Sequence, residues 1–308
     1  MTVAYLIVAH EAPHHLARLL AALRGHDSRI FVHLDAKSDA ADFTGLAGDG
    51  VFFLPGRQRV YWADYSQVEA ALRLLSTAYA DPCRCDRFVL ISGVDYPVRS
   101  ASYIARYFAE RPEQEFIDLA AVSSSGWGKS LLRLSVYRLR PPGERSIREQ
   151  ALRLLMKARI VPRDRDVTAG LGGLVPYGGD AWWALSRAAA GYVLDFVRQN
   201  PAVMEFFRHT FCPDEHVFQT IIGGSPFAAR VAGGFTFVEW SSGGSHPAII
   251  SERHLDLLAP CSALSERRRR EGREILFARK FADDSSALVA AIARRTLEDE
   301  VRLGRTPA

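Results

Sequence analysis

The chain has 308 residues, 48% hydrophobic and 24% charged, which suits a soluble globular protein with one large domain or two modest ones. Its formal net charge is only +4 and lysine occurs only at positions 37, 129, 157 and 280. The cations are therefore mostly arginine, which favours bidentate contact with phosphate or carboxylate, and the small excess gives no support to nucleic-acid binding. Cys83, Cys85, Cys212 and Cys261 do not form a disulfide framework in a chain of this size, and an isolated C-x-C is a poor zinc signature, so reduced thiols and a cytoplasmic setting are expected.

The opening "MTVAYLIVAHEAPHH" has a short apolar run with no basic leader, and reads as a buried strand rather than a signal peptide. No apolar stretch approaches the ~20 residues of a membrane helix, so any membrane contact is expected to be peripheral. Strands are predicted at 3–10, 29–35, 51–55, 87–92 and 115–120, several too uniformly apolar to have a wet face. Between them lie a helix closed by Gly25, a helix in "DYSQVEAALRLLSTAYA" where Ser66 and Glu69 have capping-box spacing, and a helix opening at Ser100.

This alternation predicts an α/β fold, a Rossmann-like doubly wound and mostly parallel sheet whose ligands lie beyond the carboxyl ends of its strands. Residues 121–176 are less regular. They hold an Arg-rich helix near 145–160 and a Gly- and Pro-rich stretch, and read as a mobile connection or insert. Beyond it come strands at 181–186, 235–240 and 276–281, a helix over 187–200, a further helix in "CPDEHVFQT" and a terminal amphipathic helix over about 285–301. The "ERRRREGRE" run at 266–274 reads as a solvated helical face.

The strand-end rule directs attention to His10, Asp35 and the loop "SGVDYPVRS". Asp35 occupies the position where such folds hold a ribose or base edge; a structural cap is the other reading. Gly93 permits close backbone approach, and Asp95 is a candidate for sugar hydroxyls, although an ordinary strand-to-helix loop looks similar. In "LFARKF", Phe277 and Phe281 anchor Arg279 and Lys280, a cation pair suited either to a pyrophosphate or to structural ion pairs. Asp214 and Glu215 sit where acidic residues favour a helix start, which alone is a capping signal.

Metal signatures are weak. Asp164 and Asp166 are hemmed by Arg163 and Arg165, and the histidines lack ligand spacing. P-loop, dinucleotide and hydrolase-elbow motifs are also missing.

Taken in order, "AYLIVAH", "VHLDAKS", "VYWADYSQVEAAL", "LISGVDYPVRS", "GGDAWWALSR", "CPDEHVFQTIIGGSPF", "FVEWSSGGSHP" and "LFARKF" resemble the core-2/I-branching β-1,6-N-acetylglucosaminyltransferase family, which includes the peptide O-xylosyltransferases. The likeness runs from about residue 3 to 283, and no single motif carries it.

The resemblance implies a GT-A type domain over 1–284, with a nucleotide-binding half at 1–120, a variable insert at 121–176 and an acceptor/catalytic half at 177–284. A C-terminal helix and tail follow at 285–308. It further implies an inverting transfer from a UDP-sugar with no cofactor and no required metal. In that reading Glu215 is the general base and Arg279 and Lys280 clamp the diphosphate. Asp35 and His10 lie on the nucleotide side, and Asp95, Asp180, Trp182, Trp183 and Trp240 lie around the donor and acceptor.

One departure is that Ala181, not an acid, precedes the tryptophan pair, with Asp180 one place earlier, so a second catalytic carboxylate is not assured. The pattern resembles a bacterial-type cytoplasmic member, with GlcNAc, xylose or glucuronate as donor sugars and a glycan, lipid-linked or small-molecule acceptor. Rival readings are a metal-dependent nucleotide-sugar transferase and a non-catalytic sugar-binding module.

Overall fold

A computed structural model describes residues 1–122, 131–140, 145–240, 246–260 and 262–302. Its strands are β1 (Val3–Ala9), β2 (Ser28–Leu34), β3 (Val51–Phe53), β4 (Arg87–Ser92), β5 (Asp95–Pro97), β6 (Phe116–Ile117), β7 (Ala120–Ala121), β8 (Tyr177–Gly178), β9 (Trp183–Ser186), β10 (Thr236–Val238) and β11 (Phe277–Arg279). The main sheet has six strands in the order β3-β2-β1-β4-β9-β6. β1 to β4 run parallel, and β9 is antiparallel to both of its neighbours.

The apolar runs of β1 and β4 are uniform because both faces of the sheet are covered. Side chains alternate across a strand. Val3, Tyr5 and Ile7 therefore join one core with Leu16, Leu19, Leu20 and Leu23 of helix Pro13–Leu23, while Ala4 and Leu6 join another with Val68, Leu74 and Leu75 of helix Ser66–Tyr79. The helical leucines recur at the spacing of one buried face. Leu288, Val289 and Ile292 of helix Ser286–Arg302 belong to the first core, so the terminal helix packs into the same body as the sheet. A second sheet, β10-β11-β5, lies over that core through Tyr96, Phe277 and Ala278.

The carboxyl ends of the parallel strands are drawn together by backbone bonds. Asp35 N donates to Ala9 O at 2.8 Å and Gly93 N to Val8 O at 2.9 Å. Position 93 tolerates no side chain, since an added Cβ would stand 2.9 Å from the Ala9 Cβ. The expected edge of the sheet is thus where His10, Asp35 and Asp95 emerge.

Several local expectations are revised. The 115–120 strand is two short ones, broken at Asp118, whose carboxylate accepts from Gly234 N at 2.7 Å. Ser66 does not cap its helix. Its hydroxyl accepts from Tyr61 N, and Asp64 takes Ser66 N at 2.9 Å, leaving Glu69 to pair with Arg208 at 2.8 Å. A complete capping box occurs instead at Ser146 and Glu149, opening helix Ile147–Lys157, while Ser100 caps as expected.

In the 266–274 run Arg267, Arg269 and Arg270 are exposed, but Glu274 is buried against Arg99 at 3.0 Å. Arg165 does not neutralise the neighbouring aspartates. It donates to the Leu134 and Phe206 carbonyls, and burial lowers it to about 10.

Trp183 is fully buried and packs on Phe218 with ring centroids 4.9 Å apart, so it is a core residue rather than a wall of the cleft. Trp183→Ala should lower unfolding free energy by about 3–5 kcal/mol. Denaturant melts would check this, and a loss under 1 kcal/mol would show that the ring is not holding the second core together.

Candidate active site

The decapeptide 211–220 does not open directly as an α-helix. Cys212 takes a left-handed conformation at φ 50°, Pro213–Glu215 forms a 3-10 turn, and helix Val217–Gly223 begins after His216. Glu215 therefore lies on a tight turn ahead of the helix, with its backbone N–H bonded to Cys212 O at 3.1 Å. His216 is buried, and its Nδ1 lies 3.2 Å from Tyr177 O, so it serves the fold.

What stands against the Glu215 carboxylate is Arg133, whose Nη1 donates to Oε2 at 2.8 Å. Both side chains keep a quarter or more of their surface, 26% and 29%. The guanidinium lies 5.4 Å from the Phe211 ring centroid, and Arg138 approaches the same ring at 5.3 Å. Trp62, 56% exposed, meets Phe211 and His246 edge-on at 5.6 and 5.9 Å. Cys212 N donates to Ala63 O at 3.3 Å, which ties the Trp62 loop to the Glu215 turn. Sequence reasoning missed Arg133, Arg138 and Trp62. The two arginines carry no local motif, and Trp62 was visible only inside a longer string.

The cation pair occupies the second sheet. Arg279 on β11 is the register partner of Asp95 on β5. Its Nε lies 3.6 Å from Asp95 Oδ1, and its guanidinium carbon 4.3 Å from the Trp182 ring centroid. Arg279 thus meets both a carboxylate and an aromatic face, contacts of a kind that orient a guanidinium.

Asp95 is completely buried, and its Oδ2 accepts from Ser92 N at 2.8 Å. Burial raises its pKa from 3.8 to about 6, opposed first by the Arg279 charge and then by the Ser92 bond. The sequence reading set Asp95 against the donor sugar. The side chain it meets here is Arg279. Lys280 follows, half-buried, with its carbonyl held by Ile250 N at 2.8 Å.

One strap joins these two groups. Gly179 N donates to Glu215 O at 3.0 Å, and three residues further on Trp182 lies under Arg279. Three residues span at most about 11 Å, so the base candidate and the clamp candidate are fastened to the same short segment. Gly179 must be glycine, because a Cβ there would sit 2.0 Å from Asp118 O. Asp180, inside the strap, is half-buried, and its carbonyl accepts from Gln219 Nε2 at 2.8 Å. Its charge acts on Arg268, whose pKa is lowered chiefly by burial.

At the carboxyl end of β2, Asp35 is buried and organises its loop. Its Oδ1 accepts from Lys37 N at 2.8 Å and Val60 N at 3.3 Å. The Lys37 ammonium stands 3.5 Å from Asp35 Oδ2 and 4.6 Å from the Tyr61 ring centroid. His10 is half-exposed beside Glu11 at 3.4 Å. Trp240 is 52% exposed, at the edge of the "SSGGSHP" loop, whose residues 241–245 lie outside the described residues. Among the described residues no group of three or more His, Cys, Asp or Glu side chains is arranged to hold a metal.

The 121–176 segment braces this edge at two points. Besides Arg133, it supplies Arg140, which grips Asp64 through Nε and Nη2 at 2.8 and 2.9 Å. Burial pushes the Asp64 pKa up, but the bonds from Arg140 and Ser66 outweigh it and hold the carboxyl below its usual value.

A mostly parallel sheet with a carboxylate turn and an aromatic-backed arginine on its carboxyl edge makes this an α/β fold whose candidate site lies where such sheets bind ligands. This chain belongs to the Core-2/I-Branching enzyme family, whose family model matches residues 3–256. It is similar to xylosyltransferase 2 of Rattus norvegicus, with 26% identity over 239 residues, covering 73% of this chain and 25% of that protein. It is also similar to the human beta-1,3-galactosyl-O-glycosyl-glycoprotein beta-1,6-N-acetylglucosaminyltransferase, with 23% identity over 237 residues, covering 71% of this chain and 48% of that one. The chain thus spans between a quarter and a half of the length of these relatives. Among the described residues no helix is long and apolar enough to cross a membrane.

The raised Asp95 pKa has a defined effect on stability. Its folded value, about 6, lies above the unfolded 3.8. Between those values the unfolded chain releases the proton first, so stability falls as pH rises through this window and levels off above it. Asp95→Asn should flatten that slope in melts across the window; an unchanged slope would assign it to other groups.

Proposed function

We propose that this chain is an inverting glycosyltransferase that moves a sugar, GlcNAc or xylose, from a UDP-sugar to an acceptor hydroxyl without a required metal. The observation that carries the reading is the strap Gly179–Trp182, which fastens a carboxylate turn and an aromatic-backed arginine to one segment on the ligand edge of the sheet. Membership of a family whose relatives are named as xylosyl- and N-acetylglucosaminyltransferases supports it.

In this reading Glu215 takes the proton from the acceptor hydroxyl as its oxygen attacks the anomeric carbon from the face opposite the nucleotide. The bond from that carbon to the diphosphate oxygen breaks, and UDP departs with the added negative charge. Arg279 and Lys280 offset that charge. Because Asp95 and Trp182 hold the guanidinium beforehand, little reorganisation is needed as the bond breaks. Arg133 fixes the Glu215 Oε2 and so the direction in which the carboxylate presents itself.

Asp35 and His10 face the nucleoside, Trp182, Asp180 and Trp240 the donor and acceptor sugars, and Asp95 acts through Arg279. The acceptor is a glycan, a lipid-linked saccharide or a small molecule, and the setting is cytoplasmic.

Glu215→Gln should keep UDP affinity while UDP release from a donor panel falls about 10²- to 10⁴-fold; turnover within a few-fold of wild type would remove Glu215 from this role. Arg279→Ala and Lys280→Ala should each lower turnover by about 10²- to 10³-fold and weaken UDP binding in calorimetry. Transfer should persist in EDTA, and its loss there with recovery on adding a divalent ion would overturn the metal-free reading.

A further inference from the structure

We propose that helix Ile147–Lys157 is a membrane-surface element that seats the protein on an anionic phospholipid bilayer. Glu149, Leu152 and Met156 are its least exposed positions and define the side turned to the protein. Ile147, Ala151, Leu154 and Leu155 follow the i, i+4, i+7, i+8 pattern of an apolar stripe, and that stripe faces outward. Ile147 is 86% exposed, Leu154 66%, Leu155 40%, and Ile160 just beyond the helix 69%. A helix stabilised by its own domain turns its apolar stripe inward; here the stripe lies opposite the packed side.

The charges identify the occupant. Arg153 and Lys157 flank the stripe on one shoulder and Arg148 on the other, with Arg159 just past the end. The helix's only acid, Glu149, is buried and spent, since its carboxylate accepts from Ser146 N at 2.9 Å and Arg140 N at 3.0 Å. Apolar residues flanked by cations, with no exposed acid between them, match the boundary between acyl chains and anionic headgroups. A second copy of the chain fits poorly, because a two-fold contact through this face would bring like-charged shoulders together.

The base of the helix is firmly placed. Glu149 is bonded to Arg140, which grips Asp64 beside the site, and the chain after the helix returns through the Val136–Asp164 bridge to the segment carrying Arg133. The helix is in this way tied to the elements that carry Asp64 and Arg133 beside the candidate site. The seating itself does not depend on the transferase reading.

The full chain is to be sedimented with vesicles of phosphatidylcholine and phosphatidylglycerol in equal parts, with pure phosphatidylcholine vesicles as the neutral control. Wild type should pellet with the mixed vesicles and be released by high salt. The pairs Ile147→Glu/Leu154→Glu and Arg148→Glu/Lys157→Glu should each reduce partitioning about tenfold or more. Vesicle-free UDP release should not change in either variant, which separates failure of the membrane reading from failure of the transferase reading. The proposal is overturned if wild type does not pellet, if it pellets equally with neutral vesicles, if the variants bind as wild type does, or if sedimentation velocity shows a dimer that Leu154→Glu dissolves.

Discussion

A carboxylate with no access to water has to be compensated by its surroundings, and for Asp95 the cation beside it is Arg279. Burial of Asp95 is built into the fold, because β5 pairs with β11 over the first core and the register brings position 95 opposite position 279. The arginine gains its place from this pairing and from the Trp182 ring, whose centroid lies 4.3 Å from its guanidinium carbon. Removing one partner of such a buried contact leaves an uncompensated charge, so Asp95 and Arg279 act as a pair. In the proposed chemistry, a guanidinium held in this way would receive a phosphate without first being ordered by it.

The 121–176 segment takes part in that arrangement. Its irregular composition reads as a connection, yet Arg133 reaches Glu215 and Arg140 reaches Asp64 with charge-assisted bonds. In each case the partners lie far apart in sequence, and one end of the bond falls outside any motif. The segment therefore sets the direction of the carboxylate on the turn and stiffens the loop that carries Trp62. It also presents an apolar helical face away from the domain, so a single stretch of chain links the site to the surface proposed to meet the bilayer.

The sheet was legible because its physics is local. Uniform apolar runs separated by helical patterns require a sheet covered on both faces, and β1, β2 and β4 with their helices follow that pattern closely. The strand-end rule led to Asp35 and Asp95, and the flanking phenylalanines led to Arg279. Orientation was less legible. Trp182 and Trp183 are adjacent and alike in sequence, but alternation sends one beneath Arg279 and the other into the core against Phe218. The Ser66 and Glu69 spacing satisfies a capping box, yet Asp64 competes for the same backbone and Arg208 claims Glu69. Likewise, the acids of the decapeptide suggest a first helical turn, while the left-handed Cys212 and Pro213 enforce a 3-10 turn that no periodicity announces.

The central claim is that paired cations receive the departing diphosphate while a fixed carboxylate faces the incoming alcohol. A crystal structure of the chain with UDP bound tests it most directly. The account requires the diphosphate oxygens within hydrogen-bond reach of Arg279 and Lys280, and Glu215 across the space left for the donor sugar. A divalent ion coordinated between the phosphates and a protein carboxylate, or UDP bound away from Arg279, would contradict it.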